Sequence, residues 1–321
     1  MPPAEMQRSP IVLIGSFSPD DEQSWLEALR SAMPGERVLP VAQVVDPEEV
    51  ELAIVANPEP TVVQRFSSLK WVQSLWAGVE RLVDEPAFSH LPVVRMVDPE
   101  LARTMAEAVL AWTLYLHRDM PAYLAQQRAN QWRQLPYVPP SRRRVGLLGL
   151  GTLGQAAART LTAAGFKVQG WRRSGAGMPA LEDLETFSGR NGLDAIVRRT
   201  DILACLLPLT NETRHLVDSD LLDRLPRGAC LINFGRGGLV NLPDLIAALD
   251  AGQLRHAVLD VFEREPLPQD SPLWQHPHVT VLPHISAETD PRTASLIVAR
   301  NVQQWRDTGR VPQAVDKLRG Y

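Results

Sequence analysis

One stretch of this 321-residue chain restricts its fold more than any other. Val145 to Gly149 is short and apolar, as a buried strand is, and Gln155 to Ala164 is Ala-rich, as a helix is. Between them run Gly149-Leu150-Gly151-Thr152-Leu153-Gly154. Three glycines at this spacing are weak evidence alone and strong evidence between a strand and a helix. The first permits a tight turn, the second lets backbone approach a pyrophosphate, and the third lets the helix pack on the strand. Free N–H groups and the helix dipole then favour an anion at the helix N-terminus. The loop therefore implies a doubly wound α/β domain holding a dinucleotide, with Gly149, Gly151, Thr152, Leu153 and Gly154 at the pyrophosphate.

The end of the following strand separates the two common dinucleotides. An acid there would hydrogen-bond a ribose 2′-hydroxyl. This chain has Trp171-Arg172-Arg173-Ser174 and no acid. Two guanidiniums and a hydroxyl suit a 2′-phosphate, which Arg grips bidentately. NADP is expected in preference to NAD.

Strand-like runs alternate with helical patterns almost throughout, the mark of parallel α/β layers. Ile11 to Gly15, Glu51 to Ala56, Trp71 to Leu75 and Val93-Val94 read as strands of a first domain. A helical pattern runs from Pro99 to about Arg118, with Pro99 suited to its first turn. Beyond the proline-rich connector Gln134 to Ser141, six strands are expected: Val145–Gly149, Lys167–Trp171, Asp201–Leu207, Cys230–Phe234, Ala257–Phe262 and Val279–Leu282. The helical stretch Thr293 to Trp305 has no strand after it and is placed back on the first domain. The fold expected is thus two doubly wound parallel-sheet, Rossmann-like domains. A dinucleotide domain at 108–285 is inserted into a discontinuous, flavodoxin-like substrate domain at 1–107 and 286–321.

Three residues placed just beyond later strands carry chemistry. Arg236 lies in Asn233-Phe234-Gly235-Arg236-Gly237-Gly238, Glu265 in the acidic, proline-stiffened loop after Leu259-Asp260, and His284 in Pro283-His284-Ile285-Ser286. Reducing a 2-keto acid requires an anchored carboxylate, a polarised carbonyl and a proton for the oxygen as hydride reaches carbon. Arg236 can do the first two, and His284 can donate the proton. A carboxylate beside the imidazole, with Glu265 the candidate, would favour its charged form and fix its orientation. Singly, a strand-end arginine is usually a surface charge and a histidine usually structural. The order and placement of the three together support the catalytic reading. His276-x-His278 lacks the carboxylate or helical spacing of a metal site, so no metal is expected.

Composition excludes other classes. The formal net charge is -4 and no Lys/Arg run exceeds three residues, which predicts no nucleic-acid or membrane-surface partner. Cys205 and Cys230 are the only cysteines and both lie in apolar runs, so they read as buried free thiols. Met1 to Pro10 has no secretory character, and no apolar run approaches the roughly 20 residues of a membrane span. A cytoplasmic enzyme is expected.

The sequence resembles the D-isomer-specific 2-hydroxyacid dehydrogenases over nearly its whole length. The resemblance rests on Val145 to Gly154, Leu206-Leu-Pro-Leu-Thr210, Asn233 to Gly238, Leu259 to Pro268 and Pro283-His284. Within that family it is most similar to the bacterial glyoxylate/hydroxypyruvate reductase A group, through Trp171-x-Arg173-Ser174, Ser271 to Pro277 and the terminal Arg319-Gly-Tyr321. The resemblance implies Arg236, Glu265 and His284 as the catalytic set. It implies that Leu207, Pro208, Thr210 and Asp260 face the cofactor, with Asp260 near the nicotinamide amide, and that family members are homodimers. It also puts Trp76, Ala77, Gly78 and Val79 in a substrate loop whose backbone N–H groups bind the carboxylate. Trp76 stands where the family has a small residue, and Glu80 where it has Asp. The indole could narrow the substrate pocket or pack under the loop. The activity implied is NADPH-dependent reduction of glyoxylate to glycolate and of hydroxypyruvate to D-glycerate. A phosphoglycerate- or D-lactate-type dehydrogenase and a non-catalytic dinucleotide-sensing protein remain alternatives.

Overall fold

A computed structural model describes residues 8–174 and 184–317; the terminal Arg319-Gly-Tyr321 lies outside them, as does most of Met1 to Pro10. The chain divides into two compact units. One runs through Glu100 and takes up the chain again at Thr289; the other is Leu101–Glu288.

The first unit is built on five parallel strands, β1 (Ile11–Gly15), β2 (Val38–Pro40), β3 (Leu52–Ala56), β4 (Trp71–Ser74) and β5 (Val93–Val94). Their order is β2-β1-β3-β4-β5, the flavodoxin-like arrangement. β1 and β3 are apolar almost without interruption because both faces are covered. Ile11, Leu13 and Ile54 pack with Trp25 and Leu29 of the helix Pro19–Ala32, while Val12, Ile14 and Val55 pack with Phe66 and Phe88 on the other face. The C-terminal helix Pro291–Thr308 buries Ala294, Val298, Val302 and Trp305 in the Trp25 cluster. Its Asn301 Nδ2 donates to the buried Gln73 Oε1 of β4 at 2.8 Å, satisfying a polar group the sheet encloses. The sequence pattern gives no sign of β2, whose three residues end in proline and are too few to show a period.

Among its described residues the second unit carries seven parallel strands, β6 (Arg144–Leu148), β7 (Lys167–Arg172), β8 (Glu185–Ser188), β9 (Ile202–Cys205), β10 (Ala229–Asn233), β11 (Leu254–Leu259) and β12 (Val279–Val281). The sequence reading expected six. The additional strand, β8, is Glu-Thr-Phe-Ser at the sheet edge, where only Phe187 contributes to the core, so its sequence lacks an apolar run. Strand order is β12-β11-β10-β9-β6-β7-β8. The chain runs outward from β6 to β8, then returns to lay β9 on the other side of β6. That reversal opens a crevice at the carboxyl ends of β6 and β9, where such sheets bind ligands. The helix Pro99–His117 covers one face through Met105, Val109 and Leu116, against Val145, Leu147 and the helix Thr152–Ala163. Cys205 and Cys230 are buried free thiols, and burial pushes the Cys205 thiol up to about 12. At that value it packs as a small apolar side chain rather than a nucleophile. Among the described residues no helix is long and apolar enough to cross a membrane.

Candidate active site

The glycine loop is shaped by close approaches at both of its ends. Gly149 has φ +107, and a Cβ there would stand 2.8 Å from the Leu206 carbonyl oxygen, so only glycine fits between β6 and β9. A Cβ on Gly154 would stand 1.8 Å from the Gly149 carbonyl oxygen, which is how the helix comes to rest on the strand it follows. Gly151 differs. It is the N-cap of the helix Thr152–Ala163, no side chain caps that end, and a Cβ on it would meet nothing within 4 Å. The first-turn N–H groups, those of Thr152 and Leu153 among them, have no acceptor within the helix. A pyrophosphate fits these donors.

β7 ends beside this loop. The Gly149 N–H donates to the Trp171 carbonyl at 2.9 Å, and the buried Trp171 indole donates through Nε1 to the Gly189 carbonyl at 2.8 Å. Gly189 N–H in turn donates to the Arg173 carbonyl at 3.2 Å. The backbone that presents Arg172, Arg173 and Ser174 is therefore fixed. Arg173 Nη1 lies 2.7 Å from Glu212 Oε2. Leu207, Pro208 and Thr210 follow β9. Thr213 Oγ1 donates to the Pro208 carbonyl at 2.7 Å and accepts from the Thr210 N–H at 2.8 Å, closing a compact turn there.

Three further strand ends place the catalytic candidates. After β10, Asn233 accepts the Gly235 N–H on Oδ1 and donates through Nδ2 to the Arg236 carbonyl at 3.0 Å, which sets the half-buried Arg236. A Cβ on Gly237 would fall 1.9 Å from the Phe262 carbonyl carbon, so the Arg236 loop lies directly on the backbone of the loop after β11. In that second loop Glu265 accepts the Phe262 N–H on Oε1 at 2.9 Å. Its other oxygen, Oε2, lies 2.8 Å from His284 Nδ1 after β12. The peptide bond Glu265–Pro266 is cis. His284 has φ 56, a left-handed conformation that a non-glycine residue keeps only when its surroundings impose it.

The residues that follow it are held by Asp260. This wholly buried carboxylate accepts the Ile285 N–H at 2.8 Å and the Ser286 N–H at 2.9 Å, one on each oxygen. Both of its oxygens thus serve the backbone directly behind His284. An isolated aspartate closing an apolar strand carries no sequence signal for that task. A second pairing was equally invisible: Glu263 Oε1 lies 3.0 Å from His215 Nε2 and 3.8 Å from Arg214 Nη1.

Trp76, Ala77, Gly78 and Val79 belong to the first unit, after β4. Ser74 Oγ accepts the Trp76 N–H at 3.0 Å and donates to the Trp76 carbonyl at 3.1 Å, and that carbonyl also accepts the Met96 N–H. The half-buried indole meets Trp25 edge-on, centroids 6.0 Å apart, and packs against that unit's core.

Residues 110–286 match the family model for the NAD binding domain of D-isomer specific 2-hydroxyacid dehydrogenases. The chain belongs to this family. A D-isomer specific 2-hydroxyacid dehydrogenase from Xanthobacter autotrophicus Py2, crystallised with NADPH and MES, is 39% identical, with a TM-score of 0.90 over 98% of this chain and 100% of that one. The NADPH-dependent glyoxylate/hydroxypyruvate reductase SmGhrA from Sinorhizobium meliloti, in complex with NADP and sulfate, is 37% identical, also with a TM-score of 0.90 over 98% and 100% of the two chains. A probable 2-hydroxyacid dehydrogenase from Rhizobium etli CFN 42, in complex with NADP, HEPES and L(+)-tartaric acid, is 32% identical with a TM-score of 0.87 over the same shares. This member of the family is accordingly an NAD(P)-dependent oxidoreductase of 2-hydroxy and 2-keto acids.

Proposed function

We propose that this dehydrogenase uses NADPH to reduce small 2-keto acids, glyoxylate to glycolate and hydroxypyruvate to D-glycerate, with His284 as the acid/base. The observation that carries the reading is the 2.8 Å pairing of His284 Nδ1 with Glu265 Oε2, in a dinucleotide fold whose Arg236 loop lies on the loop bearing Glu265. The choice of substrate and cofactor is supported by the likeness to SmGhrA and by the Arg172–Arg173 pair standing where an NAD enzyme carries an acid.

A bound reduced nicotinamide supplies the hydride that reaches the keto carbon. The chain's own residues do the rest. Arg236 presents a planar fork to the substrate carboxylate and polarises the adjacent carbonyl. Backbone N–H groups of Ala77, Gly78 and Val79 are the proposed further donors to the carboxylate. With Nδ1 committed to Glu265, His284 keeps Nε2 for the substrate and gives its proton to the keto oxygen as the hydride arrives. The imidazole is left neutral and regains its proton from water, and the Glu265 carboxylate holds the ring in one orientation throughout. Gly149, Gly151, Thr152, Leu153 and Gly154 would hold the pyrophosphate, Arg172, Arg173 and Ser174 the 2′-phosphate, and Leu207, Pro208 and Thr210 would line the cofactor's path.

The active species is proposed to be a homodimer formed through the cofactor-binding unit. Met120 (41% exposed) and Leu124 (43%) lie on the helix Met120–Arg128, followed by Trp132 (103%) and Tyr137 (63%). So many large apolar side chains in one short segment suit burial against a second copy. Light scattering on the purified chain should give twice the chain mass.

The function is tested by following NADPH oxidation over a panel of small 2-keto acids. Glyoxylate and hydroxypyruvate should be reduced most efficiently, and NADPH should outperform NADH. Preference for pyruvate or for a phosphorylated hydroxyacid would assign a sister activity. Tight cofactor binding without turnover of any acid would assign a sensing role.

A further inference from the structure

Glu212 lies on the turn after β9, and Arg173 lies at the end of β7. The order β9-β6-β7 sets these two strands on either side of β6, so both residues flank the strand from which the glycine loop departs. Both backbones are fixed independently of the pair. Arg173 is held through its carbonyl and the Trp171–Gly189 hydrogen bond, and Glu212 lies within the turn closed by Thr213 Oγ1 on Pro208 and Thr210. The Arg173–Glu212 ion pair at 2.7 Å therefore links the ends of the two strands that flank β6, from which the glycine loop departs. Its carboxylate engages one of the two guanidiniums read as the 2′-phosphate site.

We propose that Glu212 is a specificity-determining residue that competes with the cofactor's 2′-phosphate for Arg173. This rests on the NADP reading above. A carboxylate and a phosphate monoester ask the same planar donors for the same charge-assisted hydrogen bonds. A 2′-phosphate that takes the Nη1 donor now given to Glu212 breaks the pair, and the lost pair is subtracted from the affinity. A dinucleotide with a 2′-hydroxyl makes no such demand and leaves the pair in place. Glu212 thus lowers the preference for NADP over NAD without touching the reacting atoms. Because the pair is solvent-exposed, at 37% and 66% for the two side chains, the competition is modest.

Calorimetric titration of the full-length protein with NADP+ and with NAD+ tests this without recourse to turnover. Glu212→Gln should bind NADP+ about two- to fivefold more tightly, the range an exposed ion pair is worth, and bind NAD+ as the wild type does. In an Arg173→Ala background the same substitution should change neither affinity. Weaker NADP+ binding by Glu212→Gln would show that Glu212 positions Arg173 instead of competing for it, and unchanged binding would show that the pair does not reach the site. A gain that persists without Arg173 would reduce the effect to bulk charge. Each of these three results overturns the inference while leaving the NADP reading intact. Equal binding of NADP+ and NAD+ by the wild type, unaltered by Arg173→Ala, would remove the NADP reading and this inference together.

Discussion

Glu265 and His284 meet at 2.8 Å between Oε2 and Nδ1, and the second carboxylate oxygen is held by the Phe262 N–H. The carboxylate is thus fixed at one end before it fixes the imidazole at the other. Such a pairing fixes the ring's direction and leaves Nε2 for the proton transfer proposed for His284.

Replacing Glu265 by Gln keeps the shape and removes the charge. The amide can still accept the Phe262 N–H, but its NH2 end then donates toward Nδ1 and gives an imidazolium no counter-charge. In steady-state assays kcat should fall by roughly 10²-fold or more, while KM for NADPH stays near the wild-type value. A loss confined to KM would mean that Glu265 serves binding and not proton transfer.

The second and third glycines of the loop should separate stability from binding. A methyl group on Gly154 has no room against the Gly149 carbonyl, so Gly154→Ala should lower Tm and abolish dinucleotide binding. A methyl group on Gly151 meets nothing in the protein and would stand in the place proposed for the pyrophosphate. Gly151→Ala should therefore unfold with the wild type and bind NADP+ at least tenfold more weakly, since losing one good charge-assisted contact is worth roughly 1.5–3 kcal/mol. Equal losses of Tm in both variants would contradict the assignment of Gly151 to the ligand.

Asp260→Asn leaves one acceptor where two backbone N–H groups need one each. The Ile285 or Ser286 N–H would then face an amide donor inside the protein, at a cost of about 1–3 kcal/mol in chemical denaturation. Because those N–H groups lie directly behind His284, kcat should fall as well, with NADP+ affinity less affected. A variant with native stability and native kcat would show that the His284 turn holds itself.

Much of this was legible in the sequence because buried parallel strands are apolar runs, and a glycine loop between strand and helix has few alternatives. The edge strand β8 was not legible because it buries too little to leave an apolar pattern, and β2 because three residues are too few to show a period. At the site, residue types and strand ends pointed to Arg236, Glu265 and His284, because chemistry at a sheet's carboxyl end needs side chains in those loops. The second task of Asp260 was hidden. A carboxylate that accepts backbone N–H groups 25 and 26 residues away leaves no local signature. Trp76 was ambiguous for a related reason: whether an indole lines a pocket or packs on Trp25 depends on the elements around it.

Acid should destabilise the fold through His256. Burial, then the nearby charges of His278, Arg255 and His276, hold this imidazole down at about 4, and its Nε2 lies 2.9 Å from Thr280 Oγ1. It is neutral in the folded protein, whereas the unfolded chain takes up a proton near the ordinary value of 6.5. The stabilisation is therefore complete above about pH 6.5 and is lost progressively as pH falls toward about 4, up to roughly 3 kcal/mol in all. His256→Gln keeps a partner for Thr280 and cannot titrate, so its denaturation midpoint should fall less steeply over that interval. Parallel curves for the two proteins would remove His256 from the acid response.

If His284 delivers the proton in keto-acid reduction, His284→Asn should abolish most of the turnover and leave cofactor binding intact. Asparagine tolerates the positive φ at this position and cannot act as a general acid, so a loss of rate is not a loss of fold. With saturating NADPH and glyoxylate, kcat should drop by ~10²- to 10⁴-fold while the Kd for NADP+ is unchanged. A kcat within a few-fold of the wild type, with glyoxylate still reduced, would contradict the account.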